Sequence, residues 1–153
     1  MKEVLKETAE VFRYFKEICA VPRGSGNTEA IRNYCVRFAE QNGLRAYSDE
    51  ANNVVIYKPG TKGYENVRPV ILQGHLDMVC QKEENSPIDF EKDGIKSYTD
   101  GDFIKAEGTT LGADNGIAVS MIMAVLASRD LPHPPIEAVF TTDEEIGMIG
   151  AQK

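Results

Sequence analysis

Three short polar clusters in this 153-residue chain carry residue types able to do chemistry: His75-Leu76-Asp77, Gly112-Ala113-Asp114-Asn115-Gly116 and Asp143-Glu144-Glu145. A neutral imidazole at His75 can ligate a divalent metal through one ring nitrogen. Asp77 can accept a hydrogen bond from the other nitrogen, which fixes the tautomer and raises the ligand's basicity. Asp114 offers two oxygens, enough to bridge two metals roughly 3.5–4 Å apart. Of two adjacent glutamates on irregular backbone, one can ligate while the other stays free as a base. Such a base takes the proton of a metal-bound water, whose pKa is lowered toward about 7. A mixed histidine and carboxylate shell suits zinc, and cobalt and manganese are also accommodated. Taken singly, a His-x-Asp triplet, an acidic run and an aspartate before Asn-Gly are ordinary loop features. Their order along the chain is what argues for convergence.

The elements that must position these clusters read as α/β. Residues 3–19 carry Leu5, Phe12, Phe15, Ile18 and Cys19 at near-helical spacing, and Pro22 closes the segment. Residues 22–27 (PRGSGN) form a loop; its GSG lacks both a preceding strand and a third glycine, so it is no dinucleotide fingerprint. Asn27 is placed to cap a second helix with Ile31, Tyr34, Cys35, Phe38 and Ala39 on one face and Gly43 as its C′ residue. Short strands are expected at 44–48 and 53–57, and the apolar run 69–74 reads as a strand buried on both faces. Residues 81–101 are a long polar surface excursion, with a further short strand at 102–106. An apolar helix is expected over 115–128, with Ile117, Met121, Ala124 and Val125 inward, and a second central strand over 136–142. This order predicts an α/β three-layer sandwich with a mostly parallel central sheet. Ligands bind such sheets in the crevice outside the carboxyl ends of the strands. His75-Leu76-Asp77 and Asp143-Glu144-Glu145 follow two of those ends. Asp114 stands at a helix start, where an anionic side chain is favoured.

Composition narrows the class. Lys plus Arg is 17 against 24 Asp plus Glu, for a net charge of −7, which argues against nucleic acid as the main partner. Hydrophobic residues at 42% supply a core, no apolar run reaches the roughly 20 residues of a membrane span, and the charged start has no signal-peptide core. A cytoplasmic location without membrane contact is expected. Cys19, Cys35 and Cys80 are odd in number and form no CxxC pair, so reduced, mostly buried thiols are expected. The only other histidine, His133, lies between two prolines at the start of the 136–142 strand. The strand's length places it roughly 20 Å from the acidic cluster, on the opposite rim.

The strings HLDMVCQK (75–82), GDFIKAEGTTLGADNG (101–116) and FTTDEEIGMIGA (140–151) resemble those of aminoacyl-histidine dipeptidases, members of the co-catalytic zinc peptidases, and the PRGSGN loop is similar too. The resemblance spans essentially all 153 residues. It implies a zinc-exopeptidase-like fold, two zinc ions and a small peptide substrate, a dipeptide with C-terminal histidine in the narrowest form. It implies that His75 ligates one zinc, Asp77 orients it, Asp114 bridges both ions, Glu144 is the general base and acid, and Glu145 ligates the second zinc. A cis peptide between Asp114 and Asn115 is also implied. Ile146 departs from the pattern, where this family more often has Thr and related tripeptidases can have Ile; a tripeptidase or deacylase of the same clan therefore stays open.

The resemblance implies two further ligands, an Asp and a His, beyond Glu145. No Asp follows Asp143 in this sequence. Residues 1–153 are therefore expected to be the N-terminal part of the catalytic domain, incomplete as a sandwich and weakly active or inactive alone. The resemblance also implies a lid and dimerisation domain outside these residues and a homodimer in the full-length form. An exposed sheet edge or apolar patch near the C-terminus is expected. The competing reading from another class is a non-catalytic, metal-independent remnant.

Overall fold

The computed structural model describes residues 8–153. Helix α1 (Ala9–Cys19) buries Tyr14, Phe15, Ile18 and Cys19, and Phe12 stays partly exposed. Leu5, expected on this face, lies outside the described residues. Helix α2 (Glu29–Gln41) buries Ile31, Cys35, Phe38 and Ala39, three or four residues apart on one stripe. Its N-cap is Thr28 and not Asn27, whose side-chain amide donates instead to the Glu91 carbonyl. Gly43 follows the helix at φ +67°, the left-handed conformation of a C′ residue.

The strands are β1 (Arg45–Ser48), β2 (Val54–Lys58), β3 (Val70–His75) and β6 (Ile136–Thr141), joined in the order β1-β2-β6-β3. A separate hairpin pairs β5 (Phe103–Ala106), the short strand expected at 102–106, with β4 (Ser97–Asp100), which lies in the stretch expected to be surface excursion. The α/β character stands, but the sheet expected to be mostly parallel is mixed. β1–β2 and β2–β6 run antiparallel, and only β6–β3 runs parallel. The β2 segment reaches β6 by pairing antiparallel, and the parallel pair is the one joined by the crossover helix α3 (Ala113–Ala127).

One apolar cluster holds the layers together. Val54 and Ile56 of β2 and Ile136, Ala138 and Phe140 of β6 point to one face, where they meet Tyr14 and Ile18 of α1, Ile31, Cys35 and Phe38 of α2, and Val119, Ile122, Met123 and Leu126 of α3. Helices α1, α2 and α3 therefore lie on one side of the sheet, giving two of the three expected layers. On the other side Ile71 of β3 is 64% exposed and Tyr47 of β1 is also exposed. β3 was expected to be buried on both faces. It lies at the end of the sheet, where its outer edge meets no further described strand.

Helix α3 also differs from expectation. Ile117 and Met121, expected inward, are exposed, and Val119, Ser120, Ile122, Met123 and Leu126 face the core. The helix is apolar around most of its circumference, so periodicity could not choose its buried side. A second, smaller cluster of Phe15, Cys19, Met78 and Ile95 seats the hairpin against α1.

Candidate metal centre

The parallel register of β3 and β6 pairs His75 with Thr141, so the two strands end side by side. The chain continues the match for one more residue, since the Leu76 amide donates to the Thr141 carbonyl at 2.7 Å. Both polar clusters thus leave the sheet at the same rim, in the crevice that α/β sheets use for ligands. Beyond Thr141, Thr142 is fully buried; its amide donates to Asn53 Oδ1 at 3.1 Å and its hydroxyl to the Ala51 carbonyl at 2.6 Å. Asp143 then takes φ +55°, which turns the chain so that Glu144 and Glu145 head a tight turn closed by amides of Gly147 and Met148 on the Glu144 carbonyl. The third cluster arrives on α3. Asp114 and Asn115 have non-helical backbone angles and the peptide between them is cis, so Asp114 precedes the regular helix.

These three arrivals bring His75, Asp114 and Glu145 together, with one potential ligand atom from each lying within 4.8 Å of the others. His75 Nε2 stands 3.0 Å from Asp114 Oδ1 and 3.9 Å from Glu144 Oε2. Its Nδ1 is engaged by the Asp77 main-chain carbonyl at 3.1 Å, closer than the Asp77 carboxylate at 3.5 Å. With Nδ1 donating to that carbonyl, a neutral ring presents a lone pair on Nε2, aimed at carboxylate oxygens that are also acceptors. Such a contact calls for a cation between the groups, either a proton or a metal ion. The donor set of one imidazole nitrogen and carboxylate oxygens fits zinc.

Asp77 does different work from that expected of its carboxylate. It is 0% exposed, and its oxygens accept from the Glu144 amide at 3.0 Å, the Ser25 hydroxyl at 2.7 Å and the Glu145 amide at 3.3 Å. The ring of His75 is steadied by the main chain of Asp77, while the side chain fastens the two glutamates to the end of β3. Asp114 is the opposite case, with a side chain 78% exposed. His133 is buried at the far end of β6, with its amide on Thr61 Oγ1, away from the cluster. Cys80 is half-buried, and its thiol, like those of Cys19 and Cys35, is pushed up by burial.

No family model matches the chain. Sequence comparison finds the cytosol non-specific dipeptidase of Escherichia coli, 47% identical over 137 residues, which are 90% of this chain and 28% of that protein. Among solved structures, the aminoacylhistidine dipeptidase of Vibrio alginolyticus matches with a TM-score of 0.90 and 46% identity over 95% of this chain and 30% of that one. This chain is a relative of the aminoacyl-histidine dipeptidases. It spans less than a third of the length of either protein. A tripeptidase from Staphylococcus aureus shares the fold at a TM-score of 0.76 and 25% identity, covering 94% of this chain and 39% of that one.

In this dipeptidase relative the residues that tie the clusters together carry no ligand-type motif in the sequence. Ser25 and Gly26 belong to the PRGSGN loop, and the Gly26 amide donates to Asp143 Oδ1 at 2.7 Å. Arg23 of the same loop is 2% exposed, and burial lowers its pKa from the ordinary arginine range, opposed in part by the nearby Asp77 carboxylate. Asn53 fastens the far side, donating to the Gly150 carbonyl at 2.9 Å while accepting from Thr142. The one available sequence signal was an arginine set in a glycine-rich loop directly after a helix.

Proposed function

We propose that these residues form the metal-holding and proton-handling part of a peptidase site for dipeptides, Xaa-His dipeptides among them, with zinc as its ion. The convergence of His75, Asp114 and Glu145 within 4.8 Å, beside the Glu144 carboxylate, carries this reading. The names of the Escherichia coli and Vibrio relatives support it. His75, Asp114 and Glu145 would hold the ion or ions, with Asp114 able to offer one oxygen to each of two. Bound zinc would supply a Lewis acid for the peptide carbonyl and lower the pKa of an attacking water.

The chain's own residues account for the rest. Glu144 shares its turn with Glu145 but stands 3.9 Å from His75 Nε2, outside direct contact, so its carboxylate is free to take a proton from the attacking water. The same carboxylate then returns that proton to the leaving amine nitrogen. Asp77 keeps Glu144 at that post through the amide hydrogen bond, and the main-chain carbonyl of Asp77 keeps Nε2 of His75 turned inward.

Residues 1–153 are read as the N-terminal part of the catalytic domain. Three protein ligands suffice for a single catalytic zinc and leave a second ion under-held, so hydrolysis by these residues alone is expected to be weak. A cytoplasmic location follows the name of the Escherichia coli relative. A second reading, a tripeptidase, is favoured by Ile146 and by the Staphylococcus aureus likeness. Calorimetric titration of zinc into the metal-free chain tests the site: binding is expected, with His75→Ala and Glu145→Gln losing it. The absence of zinc binding, or dipeptide hydrolysis that survives Glu144→Gln, would overturn the proposal. A di- and tripeptide panel separates the two readings.

A further inference from the structure

The PRGSGN loop touches all three clusters of the candidate metal centre. Arg23 Nη1 donates to the main-chain carbonyls of Leu76 at 3.0 Å and Asp77 at 3.4 Å, and its Nη2 donates to the Gly112 carbonyl. Ser25 donates to the Asp77 carboxylate, and the Gly26 amide to the Asp143 carboxylate. The main chain of the loop is laced to the same segment, with the Met78 amide on the Arg23 carbonyl at 3.1 Å and the Ser25 amide on the Met78 carbonyl at 3.4 Å.

The two glycines of Gly112-Ala113-Asp114-Asn115-Gly116 are explained by this guanidinium. A Cβ on Gly112 would collide with Arg23 Nη2 and lie 2.6 Å from Met78 Sδ, at a φ of +68° that disfavours any side chain. A Cβ on Gly116 would lie 2.8 Å from the same nitrogen. The loop before Asp114 is therefore shaped around Arg23. Arg23 donates through both fork nitrogens to neutral carbonyls, while its buried Nε has no hydrogen-bond partner among the described residues, so the guanidinium acts as a spacer with a fixed fork, a shape lysine lacks.

We infer that the Arg23–Gly26 loop is the positioning element of the metal centre, with Arg23 holding the strand end that carries His75 and the loop that carries Asp114 at the separation a shared ion requires. The inference rests on the metal reading proposed above. Arg23 touches neither ion nor substrate in this scheme; it acts through the main chain of its neighbours. Helix α3 packs on β3, and the loop adds the hydrogen bonds that tie the segment after β3 to the turn before Asp114.

The test uses the full 153-residue chain with cobalt(II) as the probe, read by its visible absorption, and amide hydrogen exchange on the metal-free chain. R23K keeps the charge and removes the fork. Cobalt affinity is expected to fall by about 10–100-fold, the usual loss for groups that orient metal ligands, with a changed absorption spectrum. Exchange is expected to quicken at residues 76–78 and 112–116 while the amides of α2 keep their protection. S25A removes one donor to Asp77, is expected to weaken cobalt binding about tenfold or less, and serves if R23K does not fold. Folded variants with cobalt affinity within about twofold of the parent and unchanged exchange would overturn the inference. Should His75→Ala bind cobalt as tightly as the parent, the metal reading fails. The exchange data then judge the loop alone: quickening in both segments upholds it, and unchanged rates overturn it.

Discussion

Replacing Asp77 by asparagine removes a charge and changes almost no volume, so it isolates what the buried carboxylate does. Three donors converge on it: the amides of Glu144 and Glu145 and the hydroxyl of Ser25. Asparagine keeps one acceptor oxygen. If that oxygen faces Glu144, the new amide group faces Ser25, which can turn to accept, and the Glu145 N–H, which cannot. If the amide is flipped, the Glu144 N–H loses its acceptor instead. Either way one backbone donor is left opposed by another, and the remaining bonds lose their charge. Hydrogen bonds to charged groups contribute about 1.5–3 kcal/mol each, and a buried unsatisfied donor costs about 1–3 kcal/mol. A destabilisation of about 2–4 kcal/mol follows. At roughly 2–4 °C per kcal/mol, Tm should fall by about 5–15 °C. Guanidinium unfolding of the D77N chain measures the first quantity and a thermal scan the second. A D77N chain within about 0.5 kcal/mol of the parent would refute the assignment of Asp77 as the fastening between strand end and glutamate turn.

Asp114 should show the reverse pattern. Its side chain is 78% exposed, so D114N is expected to leave stability within about 0.5 kcal/mol while zinc affinity measured by calorimetry collapses. Gly116→Ala would set a Cβ 2.8 Å from Arg23 Nη2 and 3.1 Å from Phe15 Cε2, and a loss of about 1–3 kcal/mol in denaturant unfolding is expected from the overpacking. Among the thiols, half-buried Cys80 should react with a maleimide first, followed by Cys19 and Cys35 only as the chain opens, since both are buried. Mass spectrometry after timed labelling gives the order.

Ile146, Met148 and Ile149 are exposed beside the glutamate turn, and Val70 and Ile71 are exposed on β3. The apolar patch expected near the C-terminus is thus present, and the open edge lies elsewhere, at β3. β3 ends the described sheet, and the sheet face away from the helices is open at Tyr47 and Ile71.

The sequence by itself determined which residues could do chemistry and which strands deliver them. The placing of His75 and Glu145 at one rim was legible because an apolar run followed at once by polar residues marks a strand ending there, and both runs do end there. The helix faces of α2 were legible because its apolar residues recur at helical spacing on an otherwise polar helix. Tertiary structure alone decided the buried face of α3, since a helix apolar all round carries no periodic mark. It alone decided that β3 lies at the end of the sheet and that the sheet is mixed, because strand neighbours are chosen by long-range pairing and not by local composition. It also decided the roles of Arg23, Ser25 and Asp77. Their partners are 52 to 89 residues away, and hydrogen bonds across such separations leave no spacing for a sequence to display.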